Sequence, residues 1–400
     1  MELQEHIFKE KSREEKVIFV NGRYIKQIER NITGSSKYCV VGGINTYSIS
    51  HEYDEKLEFS HKDNMLLKEY CTDLSNKVKG LSKNIFFFQI NITTLNRNIS
   101  IKPPAGEVVN SGKYHGRFFF EIGFKSNANI FVTVYDKGYS QLDEPLGEKW
   151  WEDVKEDSIL NKFSDLDRHL YRQNIEDGSY NVVLSPYVAG LLAHEVFGHI
   201  FEEDNRYYNE HIVNQLSNEQ YNQELTIIDD PKVPRGWGSL RVDDSGHEQR
   251  KISIVENGEL SEQIKRGERI NRLIRQDYKH NLLSRVSNTL ILPGSKSVQE
   301  LLWESDNGIY IENAGKCYCD PVTGEIIMPV YEAFKIRGNK KVSCLNNFSL
   351  YANANTILKS IHTIGSDFEL NGVICGKMGQ KIPVGIGAPS LLLKDIDLYM

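Results

Sequence analysis

The tightest constraint on this chain is one short stretch, His194-Glu195-Val196-Phe197-Gly198-His199. It follows an apolar strand signal, Val182-Val183-Leu184, and a helix start, Ser185-Pro186. A serine side chain can cap the free amides of a first turn. Proline fits the first helical position because its missing N–H had no partner there anyway. Val188, Leu191 and Leu192 open an apolar stripe, and the spacing predicts a helix to about Glu203. Two imidazoles can hold a zinc ion, and a carboxylate beside them can take a proton from a water the metal activates. The histidines are five positions apart, however, which on a helix of 3.6 residues per turn sets them about 140° apart. One metal can reach both only if the helix is distorted. A π-bulge near Gly198, expected between Val196 and His199, would bring them onto one face. Two histidines that happen to share a helix are the plainer reading of the motif alone. Glu202, Glu203 and Asp204 crowd the end of the same helix, where the macrodipole disfavours negative charge. Either a compensating group lies near, such as a metal or a bond from Glu202 to a histidine ligand, or the acidic end is solvated.

The fold class expected around this helix is α+β. Residues 1–178 read as an N-terminal α/β domain of strands and helices, and residues 179–400 as a β-rich domain that carries the helix. Val17 to Val20, the turn Asn21-Gly22 and Tyr24 to Ile28 give a pair of short strands. Leu67, Tyr70, Cys71, Leu74 and Val78 recur at helical spacing, which makes Cys71 a core residue. Ile85 to Ile92 is a strand, and Arg117 to Phe124 and Ile130 to Val134 flank a turn-rich segment as a hairpin. Ile159, Phe163, Leu166 and Leu170 form a second amphipathic helix. Later come a strand at Ile252 to Val255 with its Asn257-Gly258 turn, a short helix at Val298 to Trp303, and a β-rich stretch from Gly308 to Leu393.

Composition excludes several classes. Lys plus Arg is 48 against 55 for Asp plus Glu, a net charge of -7, which argues against nucleic acid as the main partner. No apolar run approaches the ~18 residues of a membrane span. Met1 to Lys16 is too charged for a secretory segment, so a cytoplasmic location is expected. In that compartment Cys39, Cys71, Cys317, Cys319, Cys344 and Cys375 are expected to be free thiols.

Beyond the helix, separate blocks of the sequence resemble the TldD/PmbA family of metallopeptidases, specifically its TldD-like catalytic branch. The blocks are Leu191 to His199, Val242-Asp-Asp-Ser-Gly246, Arg285-Val-Ser-Asn-Thr289 with Leu292-Pro-Gly294, Gly308-Ile-Tyr310, and Cys375-Gly-Lys-Met-Gly-Gln380 running into Val384-Gly-Ile-Gly387. They occur in the family's order and cover most of residues 182–394. The resemblance implies that His194, His199 and Cys375 bind zinc and that Glu195 is the general base. The residues alone do not choose Cys375 over Cys344. Three protein ligands leave a fourth position open, the pattern of a catalytic site. The resemblance further implies short or unfolded peptides as substrate, peptide-precursor maturation as a compatible role, and a dimer with an identical chain or with a sister subunit that lacks the metal motif. The chain departs from the family at Asp243-Asp244-Ser245-Gly246, where the family has Asp-Asp-Glu-Gly. It departs again at Lys279 to Ser284, which replaces a proline-rich approach, and the N-terminal half matches weakly.

Cys317 and Cys319 share one face of a strand, as two ordinary core residues or as a soft-metal or redox pair. Arg285 and Asn288 are candidates for either a structural turn or substrate contact. Asp243 and Asp244 cap a turn or line the cleft. His247, His280 and His362 read as surface histidines, and Trp150-Trp151 as a core or domain seam. A non-catalytic peptide-binding subunit with structural zinc is the competing function. Glu195 separates the two, because a structural site has no use for it.

Overall fold

The computed structural model of the chain describes every residue except 1–3, 41–49, 61–64, 103–105, 126–129, 143–145, 147–149, 155, 165, 269–273 and 276–282. Asn21 and Gly22 take φ of 50° and 77°, the left-handed pair of a tight hairpin turn. They join β1 (Gln4–Val20) to β2 (Arg23–Val40). β3 (Ser50–Ser60), α1 (Met65–Lys79), β4 (Ile85–Lys102), β5 (Val109–Lys125), β6 (Ile130–Leu142) and α2 (Glu156–Phe163) follow. The strands form one antiparallel sheet in the order β3-β2-β1-β4-β5-β6. α1 buries Leu67, Cys71, Leu74 and Val78 in a core shared with Phe88, Ile90, Phe118, Phe120, Trp150 and Trp151.

The strands are much longer than the expected Val17 to Val20 and Tyr24 to Ile28, and β1 takes in nearly all of the charged N-terminal stretch. The reason lies in its inward positions. Phe8, Glu10 and Ser12 are all buried, but two of these three are polar, so hydropathic alternation fails. Burial is sustained by a polar network in which Arg97 Nε donates to Glu10 Oε1 at 2.9 Å and Ser12 Oγ to the same oxygen at 2.6 Å. The second expected helix is broken as well. α2 stops at Phe163, and a separate 3-10 turn spans Leu166–Tyr171. Ser164 Oγ donates to Asn161 O, the carbonyl that one further helical residue would have used. The side chain of Leu170 and the turn between β5 and β6 lie outside the described residues.

The rest of the chain runs β7 (Gly178–Leu184), α3 (Pro186–Ala193), α4 (Glu210–Ser217), β8 (Ile227–Asp229), β9 (Ile252–Glu256), β10 (Glu259–Leu260), α5 (Glu262–Lys265), β11 (Ile274–Arg275), β12 (Leu283–Ser284), β13 (Asn288–Ile291), α6 (Val298–Glu304), β14 (Ile309–Ala314), β15 (Tyr318–Cys319), β16 (Glu325–Arg337), β17 (Lys340–Cys344), β18 (Phe348–Asn353), α7 (Ala354–Ser360), β19 (Ile361–Ile364), β20 (Glu369–Lys377), β21 (Gln380–Ala388) and β22 (Leu391–Tyr399). One sheet has the order β10-β9-β8-β13-β21-β20. A second has the order β14-β7-β22-β18-β16-β15, and an extra β14–β16 pairing closes part of it into a ring. α3 is packed on nearly every side, with Pro186, Val188 to Leu192 and Ala193 buried, as an all-apolar helix must be. At Gly190 a Cβ would stand 3.3 Å from the backbone nitrogen of Gly387, so the helix lies directly on β21.

The two parts of the chain meet at a polar seam. Asp244 accepts from both Arg97 terminal nitrogens, at 3.3 and 3.2 Å. Asp243 caps its own turn, accepting from the backbone of Ser245 and His247 at 3.0 and 2.9 Å. Trp237 fills the space over Gly138 and Gly372, where any Cβ would overlap its ring. No helix among the described residues is long and apolar enough to cross a membrane.

Candidate metal centre

α3 starts as its sequence dictates. Pro186 takes the first position, and Ser185 Oγ accepts from the Val188 amide. α-Helical geometry ends at Ala193, and a π turn occupies His194–Gly198, with the His199 amide donating to His194 O. That i→i+5 bond sets the fifth residue over the first, which is the distortion the His–His spacing required. Gly198 permits it. A Cβ there would lie 3.1 Å from Val286 Cγ1 and 3.2 Å from Thr289 Oγ1. The helix ends sooner than the expected Glu203. A 3-10 turn covers His199–Phe201, and Glu202 is extended at φ -67°, ψ 141°. Side chains complete the helix end, since Asn209 Nδ2 donates to Ile200 O at 2.6 Å and Asn205 Nδ2 to His199 O at 2.8 Å, which also accepts from the Glu202 amide.

The π turn and β20 bring His194, His199 and Cys375 together, with one potential ligand atom from each inside a 4.8 Å cluster. Cys375 Sγ is 3.3 Å from His199 Nε2, and the two imidazole rings stand 4.8 Å apart. Both ring nitrogens of His194 are buried without a hydrogen-bond partner among the described residues. A buried imidazole with neither nitrogen satisfied is costly in a folded protein, and a metal ion would satisfy one of them. Two imidazoles and a thiolate are also a donor set that suits zinc. Burial tends to push the Cys375 thiol up, but His194 and His199 outweigh it and bring it to about 4. Glu195 sits beside the cluster, with an oxygen 3.8 Å from His199 Nε2. Burial raises its proton affinity, and the neighbouring histidines oppose this.

Surrounding groups fix two of the three candidate ligands, His199 and Cys375. Glu202 Oε2 accepts from His199 Nδ1 at 3.0 Å and from Lys377 Nζ at 2.8 Å. Burial works against the Glu202 carboxylate, yet His199 and Lys377 hold it at about 2. The acidic helix end is thus compensated by a histidine and a lysine. Lys377 also reaches Asp204 and Ser284 O, at 2.7 and 3.1 Å, so it clasps the hairpin carrying Cys375 to the chain that leaves the zinc-motif helix. Arg285 is wholly buried. It donates to Cys375 O at 2.9 Å and to Gln380 Oε1 at 2.7 Å, so its role is to hold the β20–β21 hairpin. Asn288 is likewise structural, bonding Gly238 N, Asp230 O and Ser239 Oγ. Asp229 carries no signal in the sequence that sets it apart. Burial raises it to about 6 although Ser287 and Thr289 donate to it, and the His194 charge also opposes the rise.

The remaining candidates lie apart from the cluster or beside it. Cys317 and Cys319 are buried. Burial pushes both thiols up, Cys319 to about 12, and the nearby Glu195 adds to the effect. Cys344 is buried in a separate cluster with Phe334 and Leu392. His247 and His362 are exposed, and His280 lies outside the described residues.

Residues 177–399 match the profile of the PmbA/TldA metallopeptidase C-terminal domain. A protein named metalloprotease TldD homolog, from Buchnera aphidicola of Acyrthosiphon pisum, is 32% identical over 289 residues, 69% of this chain and 57% of that protein. A zinc metalloprotease TldD homolog of Saccharolobus solfataricus is 29% identical over 235 residues, 55% of this chain and 51% of its own length. The chain spans just over half the length of these curated relatives. TldE of Thermococcus kodakarensis has a similar fold, with a TM-score of 0.70 at 13% identity over 99% of this chain and 96% of that one.

Proposed function

Because the chain belongs to the PmbA/TldD metallopeptidase family, we propose that it is a zinc-dependent peptidase acting on short or unfolded peptides, with His194, His199 and Cys375 as zinc ligands and Glu195 as general base. The observation that carries this reading is the π turn. It sets His194 and His199 against Cys375 and leaves Glu195 beside them, although a regular helix would have separated the histidines.

When bound, zinc supplies a Lewis acid for the scissile carbonyl and lowers the pKa of a water. The Glu195 carboxylate takes a proton from the attacking water and hands it to the nitrogen of the leaving amine. Its burial supports this role, since a raised proton affinity makes the carboxylate a stronger base towards that water. Glu202 keeps the His199 ring oriented through Nδ1, which leaves Nε2 for the metal. Arg285 and Lys377 fix the hairpin that carries Cys375.

The working unit in this proposal is a cytoplasmic dimer, with an identical chain or a sister subunit as partner, and maturation of a peptide precursor is a compatible task. Zinc content and cleavage of an unfolded peptide, compared between wild type and Glu195→Gln, test it. Both proteins should carry zinc and only the wild type should cleave. A zinc-loaded wild type that cleaves no unfolded peptide would leave the alternative, a peptide-binding subunit with a structural metal.

A further inference from the structure

A cavity of about 610 Å³ lies at the seam between the two parts of the chain, lined by β6, α2, the first turn of α3, β14, β16 and β20. None of His194, Glu195, His199 or Cys375 lines it. Two elements run from it to them. On β20, Asn371 and Cys375 are four positions apart in a strand paired to β21 without a register break, so both side chains leave the same face. On the zinc-motif helix, Tyr187 in the cavity wall and His194 are seven apart, two turns along one stripe. At ~1.5 Å per helical residue and ~3.3 Å per strand residue, the cavity is about 10–13 Å from the ligands. An extended peptide covers that in about three to four residues.

The cavity has specific unmet chemistry. Lys162 pairs with Glu332 at 3.0 Å and Glu312 at 3.7 Å, and Lys341 with Glu312 at 2.7 Å. Of the three other carboxylates in the wall, Asp136 is taken by Arg117 at 2.5 Å, which leaves Asp367 and Glu369. Asp367 accepts from Ser390 N and Oγ at 3.0 and 2.7 Å and has no cationic partner among the described residues. Among the described residues Glu369 meets only Lys137 Nζ, at 3.4 Å. That lysine donates to Asn371 Oδ1 at 2.6 Å, which fixes the amide's orientation. Asn371 Nδ2 is then left buried with no partner among the described residues, on a residue only 5% exposed. Burial raises the phenol of Tyr310, and Glu312, Asp367 and Glu369 raise it further, as a field favouring positive charge would. The wall therefore offers carboxylates to a cation and one amide N–H to a carbonyl oxygen.

We propose that this cavity is a second recognition site, which takes a cationic group of a peptide, its amino terminus or a lysine or arginine side chain, about three to four residues from the bond held at His194, His199 and Cys375. The distance rests on the peptidase reading, whereas recognition of the cation does not need cleavage. Binding to full-length Glu195→Gln protein is measured by fluorescence anisotropy, with short peptides in which one lysine is moved along an uncharged sequence. Each peptide is made with a free and with an acetylated amino terminus. One lysine position, or the free terminus, should bind about ten- to a hundredfold tighter than its norleucine or acetylated counterpart. The comparison of termini tells the two sources apart. Adding Glu369→Gln or Asp367→Asn should abolish most of that preference and leave uncharged peptides unaffected. Asp367 also holds Ser390, so Glu369→Gln, on a half-exposed side chain, keeps the test valid if Asp367→Asn does not fold. Absence of any cation preference, or a preference that survives Glu369→Gln, overturns the proposal. Cleavage by the wild type is scored separately. Cation-selective binding without cleavage sinks only the peptidase reading, and cleavage without cation-selective binding sinks only the cavity.

Discussion

His199 is held at both ends of its ring, by Glu202 at Nδ1 and facing Cys375 at Nε2. In the proposed zinc site its value as a ligand depends on Glu202, which holds the ring from the opposite nitrogen. Glu202→Gln should weaken zinc binding by about ten- to a hundredfold in a chelator competition. Unchanged affinity would reduce Glu202 to a helix-end compensation. Cys375 supplies a second residue-level prediction. Its thiol is lowered from 9.0 to about 4, so in metal-free protein it is a thiolate at neutral pH. A lowered group contributes stability in full above its ordinary value and loses it as pH falls towards the folded one. Metal-free wild type should therefore gain stability relative to Cys375→Ala as pH rises from about 4 to 9. The far-ultraviolet thiolate absorbance that separates the two proteins should disappear near the lower limit. A midpoint near 9 would mean that the histidines do not act on the sulfur. The residue scale is also where sequence reading ran out soonest. Only the family resemblance pointed to Cys375, and nothing in spacing connects it to Arg285, which grips its carbonyl from 90 positions away.

At the scale of elements, the zinc-motif helix was legible because its instructions are local: a capping serine, a proline, and a spacing that a straight helix cannot reconcile with one metal. The π turn is the answer the backbone gives. Gly198 makes it affordable, and Gly198→Ala should cost about 1–3 kcal/mol by crowding Val286 and Thr289. Thermal unfolding of the metal-free variant would measure this, with zinc affinity falling in parallel. A variant as stable and as tight-binding as wild type would mean that the turn does not need close contact with β13. β1 is the contrary case. Its inward Glu10 and Ser12 satisfy one another and Arg97, partners that no local pattern reveals, so a 17-residue strand reads as a charged leader followed by a short strand. The early helix end at Glu202 has a similar cause, because the side chains replacing its lost helical bonds come from Asn205 and Asn209.

Across the whole molecule, the two parts are joined by buried polar contacts and by Trp237 set over Gly138 and Gly372. The Asp243-Asp244 pair was legible as either turn or cleft. The fold assigns Asp243 to its turn and sends Asp244 across the seam to Arg97, 147 positions away. Asp244→Leu alone takes one of two carboxylates from the buried Arg97 guanidinium, which Glu10 still holds, and should cost about 1–3 kcal/mol in denaturant unfolding, whereas adding Arg97→Met, which in turn removes the cation beside Glu10, should recover only part of it. Equal losses in the single and double variants would show that packing, rather than the charge, joins the parts at that point. The central claim is that these parts exist to hold one metal between a π turn and a strand. Zinc-edge X-ray absorption of the loaded full chain tests this most directly. The account predicts one sulfur at about 2.3 Å and two imidazole nitrogens at about 2.0 Å, with the sulfur absent in Cys375→Ala. A shell with no sulfur, or with two, would contradict it.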